Sequence, residues 1–157
     1  MAPRCTQGDA TLRQTWEAAL GGKKADVLLS DPPYCLLTRR RKDGELRDPK
    51  NKKIDRGPVR RFENVREFRD FTKRWLEVAV KHLVDDAPIV LWMNLLGREP
   101  MTAVCRELGW GHVRGEFVWG KRTREGNSGE EILRVVETAL VFTRTPAPSP
   151  TNEAPAL

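Results

Sequence analysis

Apolar residues fall along the chain at two kinds of spacing. Between residues 65 and 83, Phe68, Phe71, Trp75, Leu76, Ala79, Val80 and Leu83 recur at three- and four-residue steps. Arg66, Arg69, Lys73 and Lys81 take the other faces. That period predicts an amphipathic helix whose aromatic stripe faces a core. The same period predicts a helix over 10–20, with Leu12, Trp16, Ala19 and Leu20 on one face, and another over 98–108, with Met101, Val104, Cys105 and Leu108 inward. Asp9 is suited to cap the first helix, and Gly21-Gly22 to end it. Gly109 ends the last. Cys105 lies on an apolar face and reads as packing rather than as a nucleophile.

Other stretches read as strands. Val27-Leu28-Leu29, within 25–30, predicts a short buried strand. Residues 88–93, Pro-Ile-Val-Leu-Trp-Met, predict a second, followed by Asn94 and Gly97. Residues 113–121 and 134–144 predict a long hairpin, the latter alternating through Val136, Thr138, Leu140 and Phe142 across a Gly-, Arg- and Glu-rich loop at 122–133. Residues 3–9 predict a further short strand ending in Gly8-Asp9. Strands alternating with helices predict the α/β class.

Two segments show no periodicity. Residues 35–64 are a polar insertion, expected to be a flexible loop that orders on a ligand. Residues 145–157 are a proline-rich tail, expected to be disordered. The 157 residues suit one domain, over 1–144. The net charge of +6 is uneven: residues 35–66 hold 12 Lys/Arg against 5 Asp/Glu, and the remainder 16 against 17. A localised excess points to phosphate contact. Cys5, Cys35 and Cys105 form no paired pattern, which predicts a reducing, cytoplasmic setting. With only His82 and His112 as imidazoles, no metal site is expected. No apolar membrane span or signal core is visible.

The candidate chemistry lies at the end of the first apolar run, in Asp31-Pro32-Pro33-Tyr34. The prolines end a strand, so the acid and the aromatic are presented at its carboxyl end, where open α/β sheets bind ligands. Asp31 accepts hydrogen bonds from an amino group. Pro32 offers a carbonyl aimed by a rigid ring, and Tyr34 a flat face for stacking. Together they suit an exocyclic amino group on a planar heterocycle, such as adenine N6 or cytosine N4. The plain alternative is a strand followed by a proline turn.

These four residues resemble the Asp-Pro-Pro-Tyr motif of the amino-methylating DNA methyltransferases. Phe117-Val118-Trp119-Gly120-Lys121 is similar to that family's strand ending in an aromatic, a small residue and a lysine. Arg134-Val-Val-Glu137-Thr-Ala-Leu140-Val-Phe142 is similar to its Arg-x-x-(His)-Glu-x-x-Leu-x-Phe strand, with Val136 where His is usual. The order agrees with the permuted group, in which the catalytic motif precedes the cofactor motif. The resemblance covers roughly residues 5–144. It implies a partial Rossmann-like methyltransferase sheet with a C-terminal antiparallel β-hairpin, S-adenosylmethionine as methyl donor, and a base flipped out of DNA. It implies that Asp31, Pro32, Pro33 and Tyr34 are catalytic, with adenine favoured over cytosine, and that Asp9 and Asp31 face the cofactor. The basic segment would supply the DNA contacts Arg39, Arg40, Arg41, Lys42, Lys50, Lys52, Lys53, Arg60 and Arg61.

One part of the family pattern is missing. The cofactor motif is a glycine-rich strand-to-loop turn, Phe-x-Gly-x-Gly-like, with an acid on the next strand. Here Gly21-Gly22 runs into Lys23-Lys24, and Gly126 and Gly129 fall in the hairpin loop. The chain therefore reads as half a fold: a fragment, one subunit of a split enzyme whose second chain supplies the cofactor half, or a degenerate relative. Its strand at 25–30 would lack a neighbour and lie on an open edge. A non-catalytic nucleic-acid-binding relative and an RNA methyltransferase are the other readings.

Overall fold

The aromatic stripe at 68–79 becomes the middle of the core. The computed structural model describes residues 3–37, 60–123 and 133–146. The helices are α1 (Arg13–Leu20), α2 (Val65–Ala79, continued by a 3-10 turn over Val80–His82) and α3 (Leu95–Glu107). The strands are β1 (Leu28–Ser30), β2 (Ile89–Met93), β3 (His112–Thr123) and β4 (Leu133–Thr143). They form a mixed sheet in the order β1-β2-β4-β3, so the chain is α/β. β1 runs parallel to β2, and β4 antiparallel to both β2 and β3. Residues 124–132, expected to join β3 to β4, lie outside the described residues, as do 38–59 and 147–157.

Asn64 caps α2, its side chain accepting from the Glu67 amide at 2.9 Å. Phe68, Thr72, Trp75, Leu76 and Ala79 are the buried face of α2. They pack with Met101, Val104 and Cys105 of α3 and with Ile89, Leu91, Met93, Leu140 and Phe142 of the sheet. Burial pushes the Cys105 thiol up to about 12, as befits a packed side chain. Between the helices, Glu107 pairs with Arg69 and, at 3.4 Å, with Lys73. No helix among the described residues is long and apolar enough to cross a membrane.

The pleat sends the other residues of each strand to the opposite face. The strand register lines up Leu29, Val90, Val141 and Gly115 as one row across that face, and Trp92, Ala139 and Phe117 as the next. Trp119 continues the row of aromatics, edge-on to Trp92 at 6.3 Å between ring centroids. Phe117 is 59% exposed and Trp119 54%. Among the described residues, no helix lies over this face.

Several sequence expectations are corrected. The apolar run at 27–29 is not buried on both faces: Leu28 is 7% exposed, but Val27 is 51% and Leu29 68%. Leu28 faces the core, while Val27 and Leu29 lie on the sheet face that no described helix covers. Residues 3–9 form no strand and are exposed; among the described residues no strand flanks the outer edge of β1 for them to reach. The first helix starts at Arg13, and Asp9 does not cap it. Leu12 holds that position without a side-chain bond, while the Asp9 carboxylate closes a turn, accepting from the amide and hydroxyl of Thr11 at 2.8 Å each. Gly21 ends this helix as expected, with φ of 59°. The third helix begins at Leu95, three residues early, because Asn94 caps it. The described ends of the polar insertion are anchored to the core. Cys35 and Phe62 are fully buried, and Leu37 bridges Phe62.

Candidate functional site

β1 ends at Ser30, and Pro32 and Pro33 prevent its continuation. Asp31 and Pro33 are exposed, whereas Pro32 and Tyr34 are half-buried. The chain then turns tightly, the Leu36 amide donating to the Tyr34 carbonyl at 2.8 Å. Cys35 drops into the core behind the turn and serves as its anchor. Burial raises its thiol pKa, so it is not a ready nucleophile.

Because β1 and β2 are parallel, the carboxyl end of β2 lies beside this loop. Asn94 occupies that end and ties two elements together. Its Oδ1 accepts from the Gly97 amide at 3.0 Å, and its Nδ2 donates to the Cys35 carbonyl at 3.0 Å. Gly97 is needed for the close approach, since a Cβ there would sit 3.2 Å from the Asn94 Oδ1 and 3.4 Å from the Phe68 ring. On the other side, the returning segment closes the loop. The Phe62 amide donates to the Leu36 carbonyl at 2.9 Å, and the Phe62 ring packs edge-on against Phe68.

Tyr34 is the electrostatic centre of the site. Burial raises its pKa above the usual phenol value, and the nearby negative charge of Asp31 adds to this. The carboxylates of Glu137 and Asp31 near its hydroxyl raise it further, since both favour the protonated phenol. Glu137 comes from β4, opposite Trp119 of β3. The hydroxyl end of the tyrosine is therefore influenced by two carboxylates from different elements. Asp31 retains further acceptor positions, since a carboxylate has about four lone-pair sites.

Asp31, Pro32, Pro33 and Tyr34 stand together at the carboxyl end of β1. Asp9 is spent locally: hydrogen bonds from Thr11 hold its carboxyl below the ordinary range, with a smaller contribution from Arg60. Arg60 lies over the rings of Phe71 and Phe62, at 4.2 and 5.2 Å from their centroids. Arg61 donates to the Leu37 carbonyl at 3.4 Å. Both arginines therefore sit where the basic segment rejoins the loop. Arg39, Arg40, Arg41, Lys42, Lys50, Lys52 and Lys53 lie outside the described residues.

Two residues gained roles that sequence reasoning had not given them. Asn94 could have been found as an N-cap, since an Asn with a helical stretch after it is a start signal. Glu137 could have been found as the one acid in a mostly apolar strand.

The described residues do not make an adenosine-binding site. The positive-φ glycines Gly21 and Gly22 precede β1, at the end of the strand away from Asp31, and Gly109 follows α3. Asp9 is engaged by Thr11. A cavity of about 470 Å³ lies between α1 and the end of α2, lined by Arg13, Glu17, Lys23, Lys24, Lys81 and His82 among others, again at the amino end of β1. No family model matches the chain.

Proposed function

We propose that this chain is the base-holding half of an S-adenosylmethionine-dependent DNA methyltransferase acting on an exocyclic amino group, adenine N6 before cytosine N4. The observation that carries this reading is the loop at the carboxyl end of β1. Asp31 and the Pro32 carbonyl are two acceptors on a rigid turn, and Tyr34 stands beside them with the Glu137 carboxylate acting on its hydroxyl. An amino group between the two acceptors would be drawn towards tetrahedral geometry, freeing its lone pair. That is catalysis by positioning and electrostatics. The loop would act on a base outside the duplex stack.

The strand order also supports the reading. Parallel β1-β2 followed by two strands in antiparallel pairing is the arrangement expected for the catalytic side of a Rossmann-like methyltransferase sheet with a terminal hairpin. The methyl donor does not fit the described residues alone. We assign its binding to a second chain, placed along the open edge of β1 and over the uncovered sheet face.

The test is methyl transfer to duplex DNA from labelled S-adenosylmethionine, with the tagged chain recovered together with the chains that accompany it. Asp31→Ala is expected to lower transfer by about 100-fold or more while salt-dependent DNA binding stays nearly unchanged. Transfer that survives the substitution would overturn the assignment. The basic excess in 35–66 favours a second reading, a nucleic-acid-binding protein without catalysis, for which no transfer is seen and binding falls with salt. Transfer to RNA but not DNA would move the same chemistry to another substrate.

A further inference from the structure

Two helix ends at the amino side of β1 gather more positive charge than the fold uses. α1 stops at Gly21, in the left-handed region, and the chain turns through Gly22 into Lys23-Lys24. α2 stops in the 3-10 turn that carries Lys81 and His82. A short parallel bridge locks the two exits side by side. Ala25 pairs with Leu83, the Ala25 amide donating to the His82 carbonyl at 2.8 Å and the Val84 amide to the Ala25 carbonyl at 3.0 Å. The rings of Trp16 and His82 lie parallel, with centroids 6.2 Å apart, and tie α1 to the same place. The cavity of about 470 Å³ lies between these exits. Such a volume is in the range of small-molecule sites, roughly 300–1,000 Å³.

Glu17 is the one acid among the described wall residues, and Arg13 answers it at 2.6 Å. Asp26, Asp85 and Asp86, next along the two exits, do not line the cavity. The ordinary role of cations at helix carboxyl ends is to meet the carbonyl dipoles, which amount to about half a negative charge per helix. Two helices therefore use about one positive charge. Lys23, Lys24 and Lys81 are all in the walls, and Lys23 is already engaged. Lys24 and Lys81 are exposed. The Arg4 guanidinium adds another charge, lying against Gly21 where a Cβ would collide with it. Lys24, Lys81 and Arg4, less the share used by the helix ends, leave an excess of about two positive charges without counting Lys23.

The kind of cation selects the anion. A single carboxylate is best met by the planar fork of an arginine, and the arginine in these walls is engaged by Glu17. Lysines are compact point charges with three donors each. Two converging on one cavity suit an anion with many oxygens and more than one charge. Among the described walls the apolar side chains are Leu20 and Val78, which give a nucleoside little to bind. We propose that this cavity binds a di- or triphosphate group through Lys24 and Lys81, whether the group is free or carried on a small molecule. The site lies at the other end of β1 from the Asp31–Tyr34 loop and does not depend on how that loop is read.

The experiment is calorimetric titration of the full chain at low salt, without divalent cations, with sodium tripolyphosphate and separately with ATP. One-to-one binding of both is expected, with affinities within about threefold of each other, because the phosphate chain makes the contacts. The double variant Lys24→Gln/Lys81→Gln is expected to weaken both by about tenfold or more, through the loss of charge-assisted hydrogen bonds. Its circular dichroism should match the native chain, since both side chains are exposed. The control Arg66→Gln/Arg114→Gln removes the same charge from exposed positions on other elements, and is expected to change affinity by less than about twofold. No uptake of tripolyphosphate by the native chain overturns the proposal. An equal loss in the two double variants also does, since the response would then be to overall charge. Binding of ATP without binding of tripolyphosphate would make the cavity a nucleoside site instead. Loss of duplex DNA binding in the lysine variant, with no tripolyphosphate uptake, would reassign the lysines to a nucleic-acid backbone and overturn it as well.

Discussion

On the face of the sheet beneath α2 and α3, Ile89, Leu91, Met93, Leu140 and Phe142 are sealed from solvent. On the other face, Leu29, Val90, Trp92, Val141, Phe117 and Trp119 form rows of the same kind of residue, and several stand half-exposed or more. By composition the two faces are alike. They differ in cover. Strands with apolar residues on both faces are the mark of a sheet enclosed on both sides. The exposed face therefore carries the composition of an interior.

The comparison is sharpest in stability. Phe142→Ala removes a ring from the sealed face and should cost about 3–5 kcal/mol, read from the midpoint of urea unfolding. Phe117→Ala removes the same ring from the open face and should change the isolated chain by less than about 1 kcal/mol. Similar losses at the two positions would show that something already covers Phe117, and would break the contrast. Asn94→Ala probes the seam between the core and the loop. It deletes the cap of α3 and leaves the Cys35 carbonyl without its donor, an expected loss of about 1–2 kcal/mol. A loss confined to a few tenths would mean that the loop is held by Cys35 and Phe62 alone.

The smallest effect concerns Glu137, which stands where the open face meets the site. Tyr34 is the chain's one tyrosine, so its ionisation can be followed by absorbance near 295 nm without interference from another phenol. Its raised pKa means that the folded state holds the proton more tightly than the unfolded chain does. The stabilisation is then fully present below the ordinary phenol pKa of about 10 and is lost as pH rises through the folded value. Glu137→Gln removes one of the groups that raise it, so the titration should move down towards the ordinary value, with little change in stability at neutral pH. An unmoved titration would take Glu137 out of the site.

The sequence carried the helices at 65–83 and 98–108 well, because each has a full apolar stripe to mark it, and it carried Asp31-Pro32-Pro33-Tyr34 because the prolines forced the strand to stop there. It misled where burial depends on neighbours. Val27 and Leu29 look buried by type, yet they lie on the sheet face that no described helix covers. Asp9 looks like a cap, yet Thr11 takes its carboxylate two residues on. Phe62 and Cys35 lie in a stretch with no period, since a single buried residue on each side of a long polar segment leaves no repeat to detect. Glu137 and Asn94 reach the loop from distant parts of the chain, and only the packed strands bring them there.

β1 contributes three residues to the sheet and, among the described residues, is bonded along one side only. Under the two-chain reading, that makes time a variable. The core of α2, α3, β2 and β4 can close without any neighbour, while β1 and the open face stay exposed until one arrives. An unmatched copy would then be the perishable one, cleared or aggregated before it is completed. The amount of enzyme in a cell would follow the supply ratio of the two chains more closely than the stability of either.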